Sequence, residues 1–394
     1  MRPIKVLLPV LILIVFGFYS YSKFYSVPEA ILTGTVFLPI MLAFIAVVIS
    51  FHFNRSHIFF YVVLIIISNV FLGLKLAETN LGYALLSLLI PLLLLTFTIL
   101  PERGIYSVRA LPVYFLLLLS FVISLLLTAK QPQFVIDFVL TNWLPPQYFD
   151  WTQQSQLVVF TSVFVFVYML VLYFVRVSSQ MAAGLGVFVM LVAQLHFGGE
   201  ADSLNVFSII SLLICIYAVI HESWRMAYLD ELTELPTRRA LREKFQSLGG
   251  LYTVAMLDVD HFKKFNDTFG HDTGDAVLRM IATKMNKVSG GGASFRYGGE
   301  EFTIVFNGKD ATTANQHIEA LREKIANTPF VINRASRRKN DAKSNKSKNK
   351  SVRVTVSIGV ADSKDNDLTP WALLKQADKA LYRAKKKGRN CVCS

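Results

Sequence analysis

Eight apolar runs, each close to the ~20 residues that cross a ~30 Å hydrocarbon layer, occupy the first 221 residues of this chain. The whole chain has 394 residues, of which 53% are hydrophobic, and its mean hydropathy of +0.46 is too high for an ordinary soluble protein. We therefore predict a multi-pass α-helical membrane domain of about eight transmembrane helices over residues 1–221. The runs lie at about residues 6–22, 30–51, 58–77, 83–100, 110–129, 157–175, 181–197 and 206–221.

The basic residues of the short loops predict the orientation of these helices, because cytoplasmic loops carry an excess of Lys and Arg. With the N-terminus inside, the outer loops hold only Lys23 and Lys130, and no small-residue cleavage site follows the first run, so we interpret it as a retained span. Eight spans then return the chain to the cytoplasm before residue 222. The basic residues of the inner loops are Arg2, Lys5, Arg55, Arg103, Arg109 and Arg176.

The membrane region offers little chemistry of its own. Its main polar residues at membrane depth are Lys75, Gln194 and His196, and no pattern of intramembrane acids indicates an ion or proton path. This composition disfavours a transporter and favours a sensor or an anchor. The aromatic outer segment 130–156, with Trp143 and Trp151, is either a sensory element or an aromatic belt at the membrane surface.

Residues 222–394 differ from this region in charge and in pattern. They carry a net charge of +11, against +2 for residues 1–221. Strands are predicted at 251–259 and 352–361, a hairpin at 293–306, and helices at 311–327 and 369–387. A further helical stripe of Ala276, Leu278, Ile281 and Met285 is predicted to open at Gly274 and Asp275. Strands that alternate with helices predict an α/β domain whose central sheet is flanked by helices.

The stretch RYGGEEF at 296–302 places two glutamates at the tip of the predicted hairpin. One interpretation is a solvated turn, since Gly-Gly between apolar runs is a common hairpin signal. The other is a metal site, because Asp258 ends a predicted strand and converges on Glu300 if the two strands are neighbours. Carboxylates placed together raise each other's pKa and normally indicate a cation. Mg²⁺ fits, because it takes one or two carboxylates and leaves positions for phosphates and water.

RYGGEEF closely resembles the signature of the GGDEF family of diguanylate cyclases, in its Glu-for-Asp form. Four other segments resemble the family in the same order. They are DELTELPTRRAL at 230–241, DVDHFKKFNDTFGHDTGDAVL at 258–278, VSIGVA at 356–361 and ADKALYRAKKKGRN at 377–390. Five motifs over some 160 residues make the resemblance specific, whereas a lone GGEEF would not.

The resemblance implies a GGDEF, nucleotidyl-cyclase-like domain at 230–394, joined to the membrane domain by a short linker at 222–229. It implies that two GTP molecules condense to cyclic di-GMP and two pyrophosphates, with Mg²⁺ or Mn²⁺ as cofactor. Since each domain holds one GTP, a homodimer is needed for catalysis. The expected location is the bacterial inner membrane, with the N-terminus and the catalytic domain in the cytoplasm.

The resemblance also implies site residues, one position at a time. Asp258 and Glu300 would bind the metals, completed by the backbone carbonyl of Val259, and Glu301 would contribute to a second metal or form a salt bridge at the tip. Glu300 is also the family's assigned proton acceptor for the attacking hydroxyl. Lys263 would stabilise charge in the transition state.

The nucleotide contacts follow from the same resemblance. Asn266 and Asp275 would read the guanine edge, where a carboxylate accepts from both N1–H and the exocyclic amino group, whereas adenine offers no such paired donors there. His271 matches a third position of this segment, although a His before Asp is also a common turn residue. Lys385 and Arg389 match the triphosphate-binding pair, although a basic helix end is often only solvated.

Three further positions complete the implied site. Backbone N–H groups around His261 and Phe262 would hold phosphates, so Phe262 is included among the substrate-binding residues. Asp260 and Arg296 are expected to be structural, holding the turn and the hairpin.

Two departures from the family pattern matter. Many members carry an RxxD product-inhibition site nine residues before the signature, but Ser289, Gly290, Gly291 and Gly292 stand at those positions. Product inhibition at that place is therefore expected to be absent. The basic segment 333–351 is an insertion expected to be disordered, either as a solvated linker or as a segment attracted to anionic membrane lipid. Without aromatic stacking partners in this segment, no nucleic acid is expected as a partner.

Alternative functions remain open from the sequence. The main one is a catalytically silent receptor for GTP or cyclic di-GMP on the same fold, which the intact motif residues disfavour. A transporter with a regulatory nucleotide domain is disfavoured by the few polar residues in the spans. A cyclase that makes a mixed or adenine dinucleotide is disfavoured by Asp275.

Overall fold

The computed structural model describes residues 3–24, 37–73, 79–197, 201–332, 350–364 and 368–394. The chain divides into two compact units, Met1–Ser223 and Trp224–Ser394. Most of the basic segment 333–351, and also Lys75, lie outside the described residues. Each unit is described by itself below.

The first unit is helical. Seven helices in the described residues are long and apolar enough to cross a membrane. The second predicted span corresponds to a helix of only 15 residues, α2, so eight spans stay a prediction. The helices are α1 (Pro3–Lys23), α2 (Leu38–His52), α3 (Ser56–Gly73), α4 (Asn80–Ile99), α5 (Leu111–Lys130), the short α6 (Gln133–Leu140), α7 (Gln156–Val175), α8 (Ser179–His196) and α9 (Ala201–Tyr228).

Helix α8 lies at the centre of this unit. In the 18-residue apolar stretch of α8, 72% of the residues are buried, whereas the share is 17% in the corresponding stretches of α1 and α5. Small residues explain its position, because they let neighbouring helices approach closely. A Cβ on Gly186 would stand 2.5 Å from Val10 Cγ1, and one on Gly184 would stand 2.9 Å from the Tyr61 hydroxyl. The outer faces of α1 and α5 expose large apolar side chains.

The second unit is a sheet flanked by helices. Its core strand β1 is buried at every position and carries residues of high strand propensity, and Val277, Leu278, Ile281 and Met285 of α12 are buried against the sheet. The elements are α10 (Arg238–Gln246), β1 (Tyr252–Val259), α11 (Phe262–Phe269), α12 (His271–Met285), β2 (Ala293–Gly298), β3 (Glu301–Asn307), α13 (Ala311–Ala326), β4 (Phe330–Ile332), β5 (Lys350–Val352), β6 (Val356–Asp362), α14 (Pro370–Lys386) and β7 (Val392–Cys393).

The main sheet has the strand order β2-β3-β1-β6-β7, and β4 and β5 form a separate two-stranded sheet. All neighbours in the main sheet are antiparallel except β6 and β7. Strand β1 lies at the centre, with Asp258 opposite Glu301 on one side and Ser357 on the other. This register brings the end of β1 next to the tip of the β2–β3 hairpin.

Two predicted boundaries are wrong. The strand predicted at 352–361 is two strands, because the chain leaves the small sheet after Val352 and joins the main sheet at Val356. Between them, Thr355 accepts a hydrogen bond from the Asp260 N–H, which fixes the change of direction. The helix predicted to open at Gly274 begins at His271 instead, directly after Gly270, whose φ is +86°. The apolar stripe did not predict the first turn of α12, because the residues of that turn are polar.

A close helix–sheet contact seats α14 on β6. A Cβ on Gly359 would stand 2.0 Å from the Ala377 carbonyl oxygen, so only glycine allows this approach. The apolar face of α14, which includes Leu373, Ala377 and Leu381, is buried. The C-terminal end of α14, with Lys385, is thereby held beside the end of β1.

Candidate active site

Three carboxylates lie in the region where β1 ends and the β2–β3 hairpin turns, near enough to affect one another's pKa. Asp258 is 5% exposed and pairs in register with Glu301, and Glu300 occupies the turn between the strands. The turn is held by Arg296, whose guanidinium donates to the Gly299 carbonyl oxygen at 2.8 Å. The hairpin thus delivers two glutamates to the carboxylate of the central strand.

These carboxylates affect one another electrostatically. Burial raises the pKa of Asp258, and Asp260 adds to this rise while Lys385 and Arg389 oppose it. The pKa of Glu300 is raised by burial and then by Asp258. Burial also raises the pKa of Glu301, and Asp258 adds to the rise. The arrangement is therefore a partly buried anionic cluster that a cation stabilises.

The end of α14 and the turn after it place two basic residues near the carboxylates. Lys385 Nζ lies 2.8 Å from Asp258 Oδ1, so this lysine contacts the carboxylate expected to bind metal. Arg389 lies in the turn after α14 and lowers the pKa of Asp258 through its charge. A site with three acids and two bases at one strand end suits a metal–phosphate complex, which carries both signs of charge.

The donor set fits a hard divalent cation. Asp258, Glu300 and Glu301 offer carboxylate oxygens. The contribution of the Val259 backbone carbonyl stays a prediction. Within the described residues, no group of three or more His, Cys, Asp or Glu side chains is close enough together to hold a metal ion. The metal therefore stays a prediction.

A second part of the site lies between α11 and α12. Asn266 Oδ1 is buried and has no hydrogen-bond partner among the described residues. A Cβ on Gly274 would stand 1.9 Å from that oxygen and 3.2 Å from the ring of Phe262. Glycine therefore leaves room for the amide, whose oxygen is available to accept a hydrogen bond from water or from a ligand. Asp275 follows on the same helix and is partly exposed.

The other predicted residues occupy the edges of this region. Phe262 is the first residue of α11 and is buried, after His261 in a left-handed conformation with φ of +56°. Lys263 on α11 and His271 at the start of α12 are exposed. Neither has a hydrogen bond or ion pair to the carboxylate cluster among the contacts of the described residues. Their predicted contacts to substrate stay predictions.

Two residues near the cluster were missed from the sequence. The carboxylate of Asp378 on α14 raises the pKa of Glu301, and the charge of Arg238 lowers it. The Arg238 guanidinium lies 4.6 Å from the ring centre of Tyr297. Asp378 lies about two helical turns before Lys385 on α14, and this spacing could have identified it from the sequence. Nothing local in the sequence places Arg238 beside the hairpin.

Comparison with known proteins agrees with this geometry. Residues 227–391 match the family described as "Diguanylate cyclase, GGDEF domain". The response regulator PleD of Caulobacter vibrioides is 35% identical over 181 residues, which cover 44% of this chain and 37% of PleD. Diguanylate cyclase VdcA of Vibrio cholerae is 34% identical over 170 residues, which cover 42% of this chain and 46% of VdcA. The chain thus spans less than half the length of either relative.

Solved structures are also similar. The crystal structure of the coiled coil and GGDEF domain of DgcB from Caulobacter crescentus in complex with c-di-GMP is 29% identical. The match has a TM-score of 0.40 and covers 45% of this chain and 91% of that one. By the family match and the sequence identity to PleD and VdcA, residues 227–391 of this chain form a GGDEF domain.

Proposed function

We propose that the GGDEF domain of this chain condenses two GTP molecules into cyclic di-GMP and two pyrophosphates. The observation that carries the proposal is the cluster of Asp258, Glu300 and Glu301, contacted by Lys385 at the end of the central strand. The sequence similarity to named diguanylate cyclases supports the same reaction. Mg²⁺ or Mn²⁺ held by Asp258, Val259, Glu300 and Glu301 would supply charge neutralisation at the phosphates.

Each half of the reaction forms one bond and breaks one. The 3′-hydroxyl oxygen of one GTP bonds to the α-phosphorus of the other, and the bond from that phosphorus to the bridging oxygen of pyrophosphate breaks. Glu300 accepts the hydroxyl proton, the role that the family resemblance assigns to this position. Lys385 and Arg389 bind the phosphates that become the leaving pyrophosphate, and Lys263 stabilises developing charge.

Guanine recognition is assigned to the pocket between α11 and α12. The unpaired Asn266 Oδ1 accepts from the base, and the Asp275 carboxylate accepts from N1–H and the exocyclic amine. His271 and the backbone near Phe262 complete the substrate contacts. A buried acceptor left unpaired by adenine makes ATP a poor substrate.

Catalysis in this proposal needs two copies of the chain, because each domain holds one GTP and the two hydroxyls attack in opposite directions. The first unit anchors the enzyme in the bacterial inner membrane, where its helices contact lipid and transmit or receive a signal. Seven helices of suitable length and hydropathy support the anchor. Loop charge supports a cytoplasmic N-terminus and catalytic domain.

Inhibition by cyclic di-GMP at the position of the family's RxxD site is proposed to be absent. Ser289, Gly290, Gly291 and Gly292 offer neither a guanidinium nor a carboxylate to a bound dinucleotide. Ser289 instead lies 2.8 Å from His317 Nδ1. Initial rates should therefore not fall when cyclic di-GMP is added at concentrations near those of the enzyme. A saturable fall in rate under those conditions would contradict this part of the proposal.

The experiment that tests the function uses the full-length protein in nanodiscs with GTP and Mg²⁺, with products identified by mass. We expect cyclic di-GMP and pyrophosphate in a one-to-two ratio from the parent and no dinucleotide from Glu300→Gln. A folded, dimeric parent that binds GTP but forms no product even when its catalytic domains are forced together would indicate a receptor instead of a cyclase.

A further inference from the structure

The turn that carries Arg389 has an unusual backbone. Gly388, Arg389 and Asn390 have φ values of +107°, +67° and +46° in succession, beginning two residues after the end of α14. Left-handed conformations at non-glycine residues such as Arg and Asn are strained unless the surroundings compensate for them. Such a turn persists only where several contacts hold it. Those contacts therefore determine where the Arg389 guanidinium points.

One set of contacts comes from the buried carboxylate of Asp260. Its Oδ2 accepts from the Asn390 N–H at 3.1 Å and from the Thr355 hydroxyl at 2.7 Å. Its Oδ1 accepts from the Ser357 hydroxyl at 2.6 Å. Asp260 follows Asp258 by two residues, so one strand end carries the metal carboxylate and holds the Arg389 turn. The turn is thereby tied to the sheet.

A second contact comes from α13, outside the site described above. Arg322 Nη1 donates to Asn390 Oδ1 at 2.7 Å. The same guanidinium is fixed by Glu319, whose Oε1 accepts from Arg322 Nε at 2.9 Å. The Arg322 side chain is 13% exposed, whereas Asn390 and the bond to it lie at the surface. The bond is charge-assisted, because its donor is a guanidinium.

We infer that Arg322 and Asn390 are positioning residues for the nucleotide triphosphate, acting through the left-handed turn that aims Arg389. Asn390 serves twice, since its backbone is held by Asp260 and its side chain by Arg322. Neither residue needs to touch substrate. The inference rests on the proposed function, because it takes Arg389 as a phosphate ligand.

If the inference is right, variants that disturb the turn lose affinity for the nucleotide triphosphate but not for GMP. GMP lacks the β- and γ-phosphates, so misdirecting Arg389 weakens triphosphate binding and leaves GMP binding nearly unchanged. A general structural defect would weaken both ligands alike. The ratio of the two affinities therefore separates a positioning role from a role in folding.

The test compares full-length variants by calorimetry with 3′-deoxy-GTP, which lacks the attacking hydroxyl, and with GMP. Asn390→Gly keeps the freedom for positive φ but removes the acceptor, whereas Asn390→Asp keeps an acceptor for Arg322. We define the affinity ratio as the affinity for 3′-deoxy-GTP divided by the affinity for GMP. Asn390→Gly should lower this ratio about tenfold, raise KM for GTP and change kcat less than about threefold. Asn390→Asp should keep the ratio of the parent within about threefold.

Arg322→Gln removes the same bond from the other side and should lower the ratio to the same extent. The double variant Arg322→Gln with Asn390→Gly should be no worse than either single variant, because both remove one interaction. If Asn390→Gly does not fold, Arg322→Gln decides the matter. Equal ratios in the parent and in both single variants would overturn the inference. A parent that binds 3′-deoxy-GTP no better than GMP would instead contradict the proposed function.

Discussion

The two units of this chain bury different kinds of polar group. Among the described residues, the first unit fully buries hydroxyls, amides and one histidine, but no Asp, Glu, Lys or Arg. The second unit buries Asp258 and Asp260 at the end of its central strand. In the first unit, Asn69 Oδ1 accepts from Gln194 Nε2 at 2.8 Å and from the Ser208 hydroxyl at 2.7 Å, which joins three helices.

The difference reflects what each unit uses polarity for. Neutral groups between helices satisfy one another at modest cost and hold the packing. Buried carboxylates are expensive unless bases, hydroxyls or metals compensate for them, so a structure retains them where they do a task. Asp258 has Lys385 and Asp260 has three donors. Charge in the second unit is thus buried at the end of the sheet to which we assign the active site.

The largest effect that tests this contrast is expected at Glu300. Glu300→Gln keeps the shape of the side chain but removes the charge and the proton acceptor, so cyclic di-GMP formation should fall at least ~100-fold. The melting temperature should not fall, because neutralising one member of an anionic cluster relieves repulsion. Product mass analysis and a thermal unfolding curve measure the two quantities.

The matched control for this change is Glu231→Gln, since Glu231 is an exposed glutamate of the same domain. It should retain the parent's rate. A Glu300→Gln protein with more than a tenth of the parent's activity would break the link between buried charge and function.

The next effect is expected at Gly274, where the site depends on space and not on charge. Gly274→Ala places a methyl group against Asn266 Oδ1, so the amide must move and KM for GTP should rise about tenfold. Steady-state kinetics measure the change. Gly249→Ala is the control, because a Cβ there meets nothing within 4 Å. Unchanged KM in Gly274→Ala would show that Asn266 does not contact the base.

A smaller effect, on stability, is expected at the ion pair between Asp230 Oδ1 and Arg296 Nη1, which are 2.6 Å apart. Burial alone would raise the pKa of Asp230, but hydrogen bonds from Thr233 and Arg296 outweigh it, so the pKa is lowered from 3.8. Asp230→Asn should cost ~1–2 kcal/mol of unfolding free energy at pH 7. The carboxylate's contribution is present above the unfolded pKa and is lost as pH falls through the lowered folded value.

Thermal unfolding of the parent and Asp230→Asn at pH 7 and near pH 3 measures this dependence. The difference between the two proteins should shrink at the lower pH. Arg296→Gln serves as the partner variant, and the double variant should lose less than the sum of the singles because the residues interact. Strict additivity would mean that the pair does not hold the hairpin.

The smallest effect is expected in the first unit. Asn69→Leu removes an acceptor from Gln194 and Ser208, and the cost should be near the ~0.6 kcal/mol average for interhelical hydrogen bonds in membranes, below ~1.7 kcal/mol. Unfolding in mixed detergent micelles measures it. Val70→Leu, at the neighbouring exposed apolar position, is the control. If Asn69→Leu reduced cyclic di-GMP formation as much as Glu300→Gln does, this neutral cluster would act on catalysis. The contrast between the two units would then fail.

Much of the fold follows from local pattern. Apolar length predicted the helices of the first unit, and the alternation of strands and helices with the motif RYGGEEF predicted the sheet and the hairpin. The GGDEF domain was identified from the same motifs. The predicted strand at 352–361 was wrong because a tertiary contact interrupts it. The Thr355 hydroxyl donates to Asp260 at the place where a continuous strand was expected.

Other features were decided only by the tertiary structure. The sequence determined that Asp258, Glu300, Lys385 and Arg389 are present with suitable chemistry, because residue type and spacing are local properties. It did not determine that Lys385 would contact Asp258, or that Arg322 would reach Asn390 across 68 positions. Those contacts join segments distant in the chain, and only the packing of α13 and α14 on the sheet sets the distances between them.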